Sequence, residues 1–177
     1  MVQNIIDAIA TTAARIEALK YPDAIILPNF PRSVQLDSYS CGAKSVYCIL
    51  KYFGKRCTPE SVERLLDTDE DGTGLSEIKR VLKRYGLTYR TLRKPGLRDL
   101  KVAIDDDCPI LISLYDGEHY AVVYGYSSSH MFVMNSSLDF TEEGVGSLRC
   151  AVSKDQFRRM WGRWGIVVSL NSRQVYK

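Results

Sequence analysis

Two histidines, two tryptophans and six prolines are all that 177 residues offer, and each scarcity narrows the field. With only His119 and His130, and neither an HExxH helix motif nor a paired CxxC, a zinc centre is not expected. The cysteines (Cys41, Cys48, Cys57, Cys108 and Cys150) are odd in number in a chain without a leader, which argues against a disulfide framework. No apolar run approaches the ~18 residues of a membrane-spanning helix. The start, MVQNIIDAIATTAARIEALK, lacks the basic opening and unbroken apolar stretch of an export signal. A net charge of +3 is too small for bulk electrostatics to nominate nucleic acid or membrane. The expectation is a cytosolic chain without metal or cofactor, carrying five free thiols. Most free cysteines are small buried hydrophobes, so the question is whether one of them differs.

What is present reads as one domain of ordinary hydrophobicity. Ile5, Ile6, Ile9, Ala13, Ile16 and Leu19 recur at helical spacing until Tyr21-Pro22 ends the pattern. This stripe must be buried somewhere: over a groove, against a partner or in a dimer. ILPNFPRSVQLDSYS is turn-rich and extended. CGAKSVYCILKYFG predicts a helix with Gly54 as its stop. Thr58-Pro59 predicts an N-cap opening a short helix through Leu66. Residues 76–85 predict another helix, closed by Gly86. From there the period changes, and 87–92, 109–115, 119–126, 130–135 and 165–170 read as strands. Helices followed by strands imply an α+β fold with helices packed on an antiparallel sheet. The division expected is an N-terminal helical extension over 1–29 and one domain over 30–177.

One thiol stands in a distinctive setting. Cys41 follows the turn-prone DSYS and begins the most helical segment, where the positive end of the helix dipole favours thiolate. Gly42 leaves room beside the sulfur. Gln35, six residues upstream on a returning loop, can donate to an oxyanion alongside the Cys41 backbone N–H. His119 opens the strand HYAVVYGY, and Asn135 ends the next one. If 119–126 and 130–135 form a hairpin through the serines between them, Asn135 lies beside His119 and can hold its tautomer. Gly117 and Tyr120, flanking His119, join Gly42 as expected lining of a substrate groove.

QLDSYSCGAKSVYCILKYFGK, DGTGLSEIKRVLKRYGL, CPILIS, EHYAVVYGY and MWGRWG together resemble the bacteriocin-processing, double-glycine leader peptidases, over roughly residues 33–170. The resemblance implies a papain-like cysteine peptidase fold, Cys41 as nucleophile, His119 as general base and Gln35 as oxyanion donor. It also implies a peptide or protein substrate with small residues at the cleaved bond. Those domains usually stand at the N-terminus of ABC transporters, whereas no transmembrane segment or ATPase follows here. The family's third residue is usually Asp followed by Pro; this chain has Asn135-Ser136, and Asn is the orienting residue of papain. Asp139 is a fallback acid four residues on.

Blander readings cover the remaining features. DEDGTGLSE lacks the ligand spacing of an EF-hand and reads as a turn plus N-cap. KRVLKRYGLTYRTLRK is basic, but Lys79/Lys83 and Arg80/Arg84 repeat at i,i+4 around an apolar face, so a solvated helix outweighs a nucleic-acid patch. His130 reads as an exposed loop residue. Three classes stay open: an active thiol peptidase (or an acyltransferase or amidase on the same residues), a catalytically weak peptide-binding module, and a basic adaptor.

Overall fold

The computed structural model describes residues 2–137 and 149–170. Helix α1 (Val2–Ala18) precedes a two-residue strand, β1 (Ile25–Ile26). Three helices follow: α2 (Cys41–Tyr52), α3 (Pro59–Leu65) and α4 (Leu75–Arg84). The rest alternates β2 (Leu87–Arg93), α5 (Leu97–Asp105), β3 (Ile110–Leu114), β4 (His119–Tyr126), β5 (His130–Met134), β6 (Ala151–Ser153), α6 (Lys154–Met160) and β7 (Trp161–Leu170). Every strand pair is antiparallel, in the order β2-β7-β3-β4-β5-β6, with β1 on the far end of β4.

Local chemistry explains where the helices start and stop. The Asp37 carboxylate accepts from the backbone N–H groups of Tyr39 and Ser40 and from Ser40 Oγ, so a side chain launches α2. Thr58 caps α3 reciprocally with Ser61, with Pro59 at the first helical position. Gly54 (φ 69°) and Gly86 (φ 73°) take the left-handed conformation after α2 and α4. Helix α2 is buried along nearly its whole length, with Val46, Cys48, Ile49 and Leu50 fully enclosed. At about 1.5–3 kcal/mol for each large apolar side chain, this helix is a main source of core stability. Every residue of β3 is buried, so both faces of the central sheet are covered.

A glycine fixes how β1 crosses the sheet. A Cβ on Gly125 would lie 2.8 Å from the Ile25 carbonyl oxygen and 2.9 Å from Ile26 Cγ1, so only glycine lets the strands pair there. The β4–β5 ladder shifts register at this same point.

Four expectations need amendment. Helices α5 and α6 arise in stretches that carried no assignment. Strand β7 begins at Trp161, four residues before the expected 165. His130 is the half-buried first residue of β5, its ring 4.5 Å from that of Tyr21, and not an exposed loop residue. The isoleucine stripe of α1 faces outward: Ala10 and Ala14 are the buried positions, whereas Ile5, Ile9 and Ile16 are exposed. The basic stretch has local partners, with Arg80 paired to Asp67 and Lys79 and Lys83 both over the Tyr89 ring.

Candidate active site

Cys41 is the first residue of α2, and its Sγ accepts from the Tyr120 backbone N–H at 3.5 Å. The helix start is thereby set against the beginning of β4, one residue beyond His119. The hairpin β4–β5 pairs Val122 with Met134, and its open end brings His119 Nε2 to 2.8 Å from Asn135 Oδ1. Asn135 Oδ1 also accepts from the Ser137 backbone N–H at 3.0 Å. An N–H donor on that atom requires it to be the oxygen, so His119 Nε2 must carry the proton. In the neutral ring, Nδ1 is then the basic nitrogen.

Gln35 is held from three sides. Its backbone N–H donates to the Ser136 carbonyl at 2.9 Å, its Oε1 accepts from Ser136 Oγ at 2.6 Å, and its Nε2 donates to the Asp37 carbonyl at 2.9 Å. The amide orientation is therefore fixed by Ser136. One of the two Nε2 hydrogens goes to Asp37, leaving the second available. Ser136 is the residue that stands where proline was expected from the resemblance. A proline there would carry no hydroxyl for Gln35, so the Asn135-Ser136 pair couples the histidine's partner to Gln35. Sequence reasoning did not find this role, because nothing local links positions 35 and 136.

Helix α1 is built into the same network. Asp7 accepts from the Val34 backbone N–H at 2.8 Å and from Ser33 Oγ at 3.0 Å, while Gln3 Nε2 donates to the Val34 carbonyl at 2.8 Å. The residue before Gln35 thus has both backbone groups held by α1. At the other end of the helix, Glu17 accepts from the Cys150 N–H at 2.5 Å.

Burial dominates the site's electrostatics. It pushes the Cys41 thiol above its ordinary 9.0, against the opposing pull of the backbone N–H groups of Tyr120, Gly42 and Cys41 itself. Burial also lowers the His119 imidazole below its ordinary 6.5, with the Asn135 hydrogen bond acting the other way. The helix start was expected to favour thiolate; burial acts the other way on Cys41, and on His119 it disfavours the imidazolium. The other thiols are raised by burial too, Cys150 to about 11 and Cys48 beyond that. Geometry, not acidity, singles out Cys41. Among the described residues no His/Cys/Asp/Glu cluster could hold a metal ion.

The remaining expected groove residues fall close by, with one change of role. A Cβ on Gly42 would sit 2.7 Å from Thr73 Cβ and 3.1 Å from Tyr120 Cδ2. The space beside Gly42 is therefore filled by Thr73 and Tyr120, and the glycine permits this packing. Thr73 was not foreseen; it is buried and bonded to Thr68 Oγ1 at 2.9 Å. Gly42→Ala is expected to destabilise the fold by about 1–3 kcal/mol through overpacking. Urea unfolding would show this as a lowered midpoint, and a change below about 0.5 kcal/mol would contradict the close packing. Gly117 (φ 105°) ends the left-handed turn Tyr115–Gly117 that leads from β3 towards His119. The half-buried Tyr120 ring lies 6.4 Å from that of Trp164. Asp139 lies outside the described residues.

Comparison with known proteins bears on the family and the fold. The chain is 25% identical over 148 residues to the lactococcin-G-processing and transport ATP-binding protein of Lactococcus lactis subsp. lactis, covering 81% of this chain and 19% of that protein. It spans about a fifth of that relative's length. A double-glycine motif protease from an AMS/PCAT transporter, solved in complex with its leader peptide, superposes with a TM-score of 0.65 at 18% identity, over 80% of this chain and 91% of that one. A C39-like peptidase from Bacillus anthracis gives 0.66 at 15% identity, over 84% and 98%. These two share the fold, a papain-like α+β domain. No helix among the described residues is long and apolar enough to cross a membrane. With the family model matched over residues 29–173, the chain belongs to the peptidase C39 family.

Proposed function

We propose that this protein is a thiol peptidase that hydrolyses a peptide bond through an acyl-enzyme on Cys41. The observation that carries the reading is the fixed tautomer of His119. Asn135 Oδ1, itself oriented by the Ser137 N–H, holds the proton on Nε2 and leaves Nδ1 as the base. As Sγ attacks the substrate carbonyl carbon, His119 Nδ1 takes the thiol proton. The negative charge moves to the carbonyl oxygen. There the free Nε2–H of Gln35 and the Cys41 N–H, which lacks an intrahelical acceptor at the helix start, serve as donors. Collapse breaks the C–N bond, and the leaving amine takes its proton from His119. Water, deprotonated by the same nitrogen, then cleaves the thioester and releases the acid.

Family membership supports a peptide substrate, and the likeness to a double-glycine motif protease bound to its leader peptide supports small residues, such as glycines, next to the scissile bond. The test is incubation with peptides carrying a Gly-Gly pair, alongside a peptide library, with products read by mass spectrometry. Cleavage at one class of bond supports the reading; no cleavage of either set would overturn it.

The desolvation of His119 gives this reading a pH signature. Because burial lowers the imidazole, the ring stays in its proton-accepting form to pH values below 6.5. The kcat/KM is therefore expected to hold level on passing down through pH 6.5 and to fall only in stronger acid. An acid limb centred above 6.5 would contradict a desolvated His119 as the base.

A further inference from the structure

Helix α1 carries two stripes with opposite destinations. Gln3, Asp7, Ala10, Ala14 and Glu17 turn towards the domain, partly or fully buried. On the other side, Val2, Ile5, Ile9, Thr12, Ile16 and Leu19 are all exposed, and their spacing runs three, four, three, four, three. Within α1, which ends at Ala18, this makes a two-heptad apolar stripe with the 3.5-residue spacing that lets one helix lie along another, and Leu19 extends it into the turn that follows. The aliphatic members are between 57% (Ile5 and Ile9) and 82% (Leu19) exposed. Ile5, Ile9 and Ile16 form one open face of the helix with Asn4, Ala8, Thr12 and Ala13. Thr12 does not spoil the seam, because its hydroxyl donates to the Ala8 carbonyl of its own helix at 2.9 Å.

We propose that this seam is the interface of a homodimer, with α1 of one protomer packed antiparallel on α1 of a second copy. Three observations select a second copy over a foreign helix. The seam is uncharged along its length, since Asp7 and Glu17 are spent on the domain and Arg15 donates to Asn29 Oδ1. Nothing on it therefore steers a charged partner, whereas a neutral aliphatic strip complements itself. Antiparallel pairing sets Val2 against the partner's Leu19, Ile5 against its Ile16 and Ile9 against its Thr12, so each layer is aliphatic or small. It also opposes the two helix dipoles. Finally, complete cover of the seam residues would bury on the order of 600 Å² on each protomer, the lower end of specific interfaces. This inference does not depend on the peptidase reading.

The test is sedimentation of the full chain across a concentration series. Twice the chain's 20.1 kDa is expected at high concentration, dissociating in the roughly micromolar range. Ile9→Glu with Ile16→Glu should give the single-chain mass at every concentration, with circular dichroism unchanged because both sites face solvent. Ile9→Ala with Ile16→Ala keeps helix propensity and should weaken association at least tenfold. A single-chain mass for the unaltered protein throughout, or a dimer that survives the double glutamate variant, would overturn the proposal.

Discussion

Cys41→Ala is expected to abolish peptide cleavage while leaving peptide affinity nearly unchanged. Removal of a catalytic nucleophile costs on the order of 10⁶ in rate, and no other thiol is placed to substitute. Cys48 is fully enclosed in α2 and Cys150 is buried against α1, its Sγ donating to the Ala14 carbonyl. Cys57 and Cys108 are half-buried in the loops before α3 and β3, each bonded to a carbonyl two residues away. Cleavage assays would be paired with calorimetric binding of the same peptide. Loss of turnover with retained affinity supports nucleophilic catalysis; retained turnover would mean that the chemistry lies elsewhere. If the unaltered protein binds peptide but never cleaves it, the binding-module reading takes over. The same thiol offers a second readout. With burial raising its pKa above 9.0, iodoacetamide should label Cys41 slowly at neutral pH and faster in alkali. A thiolate already present in mild acid would instead mean that an ion pair with His119 overcomes the desolvation.

That direction was not legible in the sequence, and the reason is physical. Placing Cys41 at a helix start follows from DSYS and the pattern after it, and the dipole argument follows from that placement. Desolvation depends on what else packs there, and Tyr120 and Thr73 arrive from 79 and 32 residues away in the chain. Features settled by neighbours in sequence were readable: the Thr58-Pro59 cap, the glycine stops after α2 and α4, and the serine-linked hairpin that brings Asn135 to His119. Helix α5 was missed because Pro95-Gly96 reads as a turn, although Gly96 caps it with the Asp99 carboxylate. Helix α6 is seven residues long, too short to establish a period. In α1 the hydrophobic periodicity was correct, but it marked the outer face. Alanines and paired polar groups bury the inner one, and such a face gives little hydropathic signal.

Gln35→Ala is expected to lower kcat by about 10²–10³-fold with KM changed little, the usual cost of one oxyanion donor. The argument rests on how much structure is committed to this one amide. Ser136 fixes both its backbone and its Oε1, Asp37 takes one Nε2 hydrogen, and α1 holds the residue before it through Asp7 and Gln3. A glutamine that merely met solvent would not be 6% exposed within such a frame. Preorganisation of this kind matters in the transition state, where charge appears on the carbonyl oxygen, and hardly at all in the ground state. The loss should therefore appear in kcat. Gln35→Glu discriminates further: the carboxylate nearly matches the amide in size but donates nothing and repels the oxyanion, so it should be at least as damaging as alanine. Ser136→Ala should cost less than either, because it loosens the amide without removing the donor. Steady-state kinetics on one peptide would rank the three. Should Gln35→Glu retain full kcat, the oxyanion would have to be stabilised by backbone N–H groups alone, and the network around Gln35 would be structural.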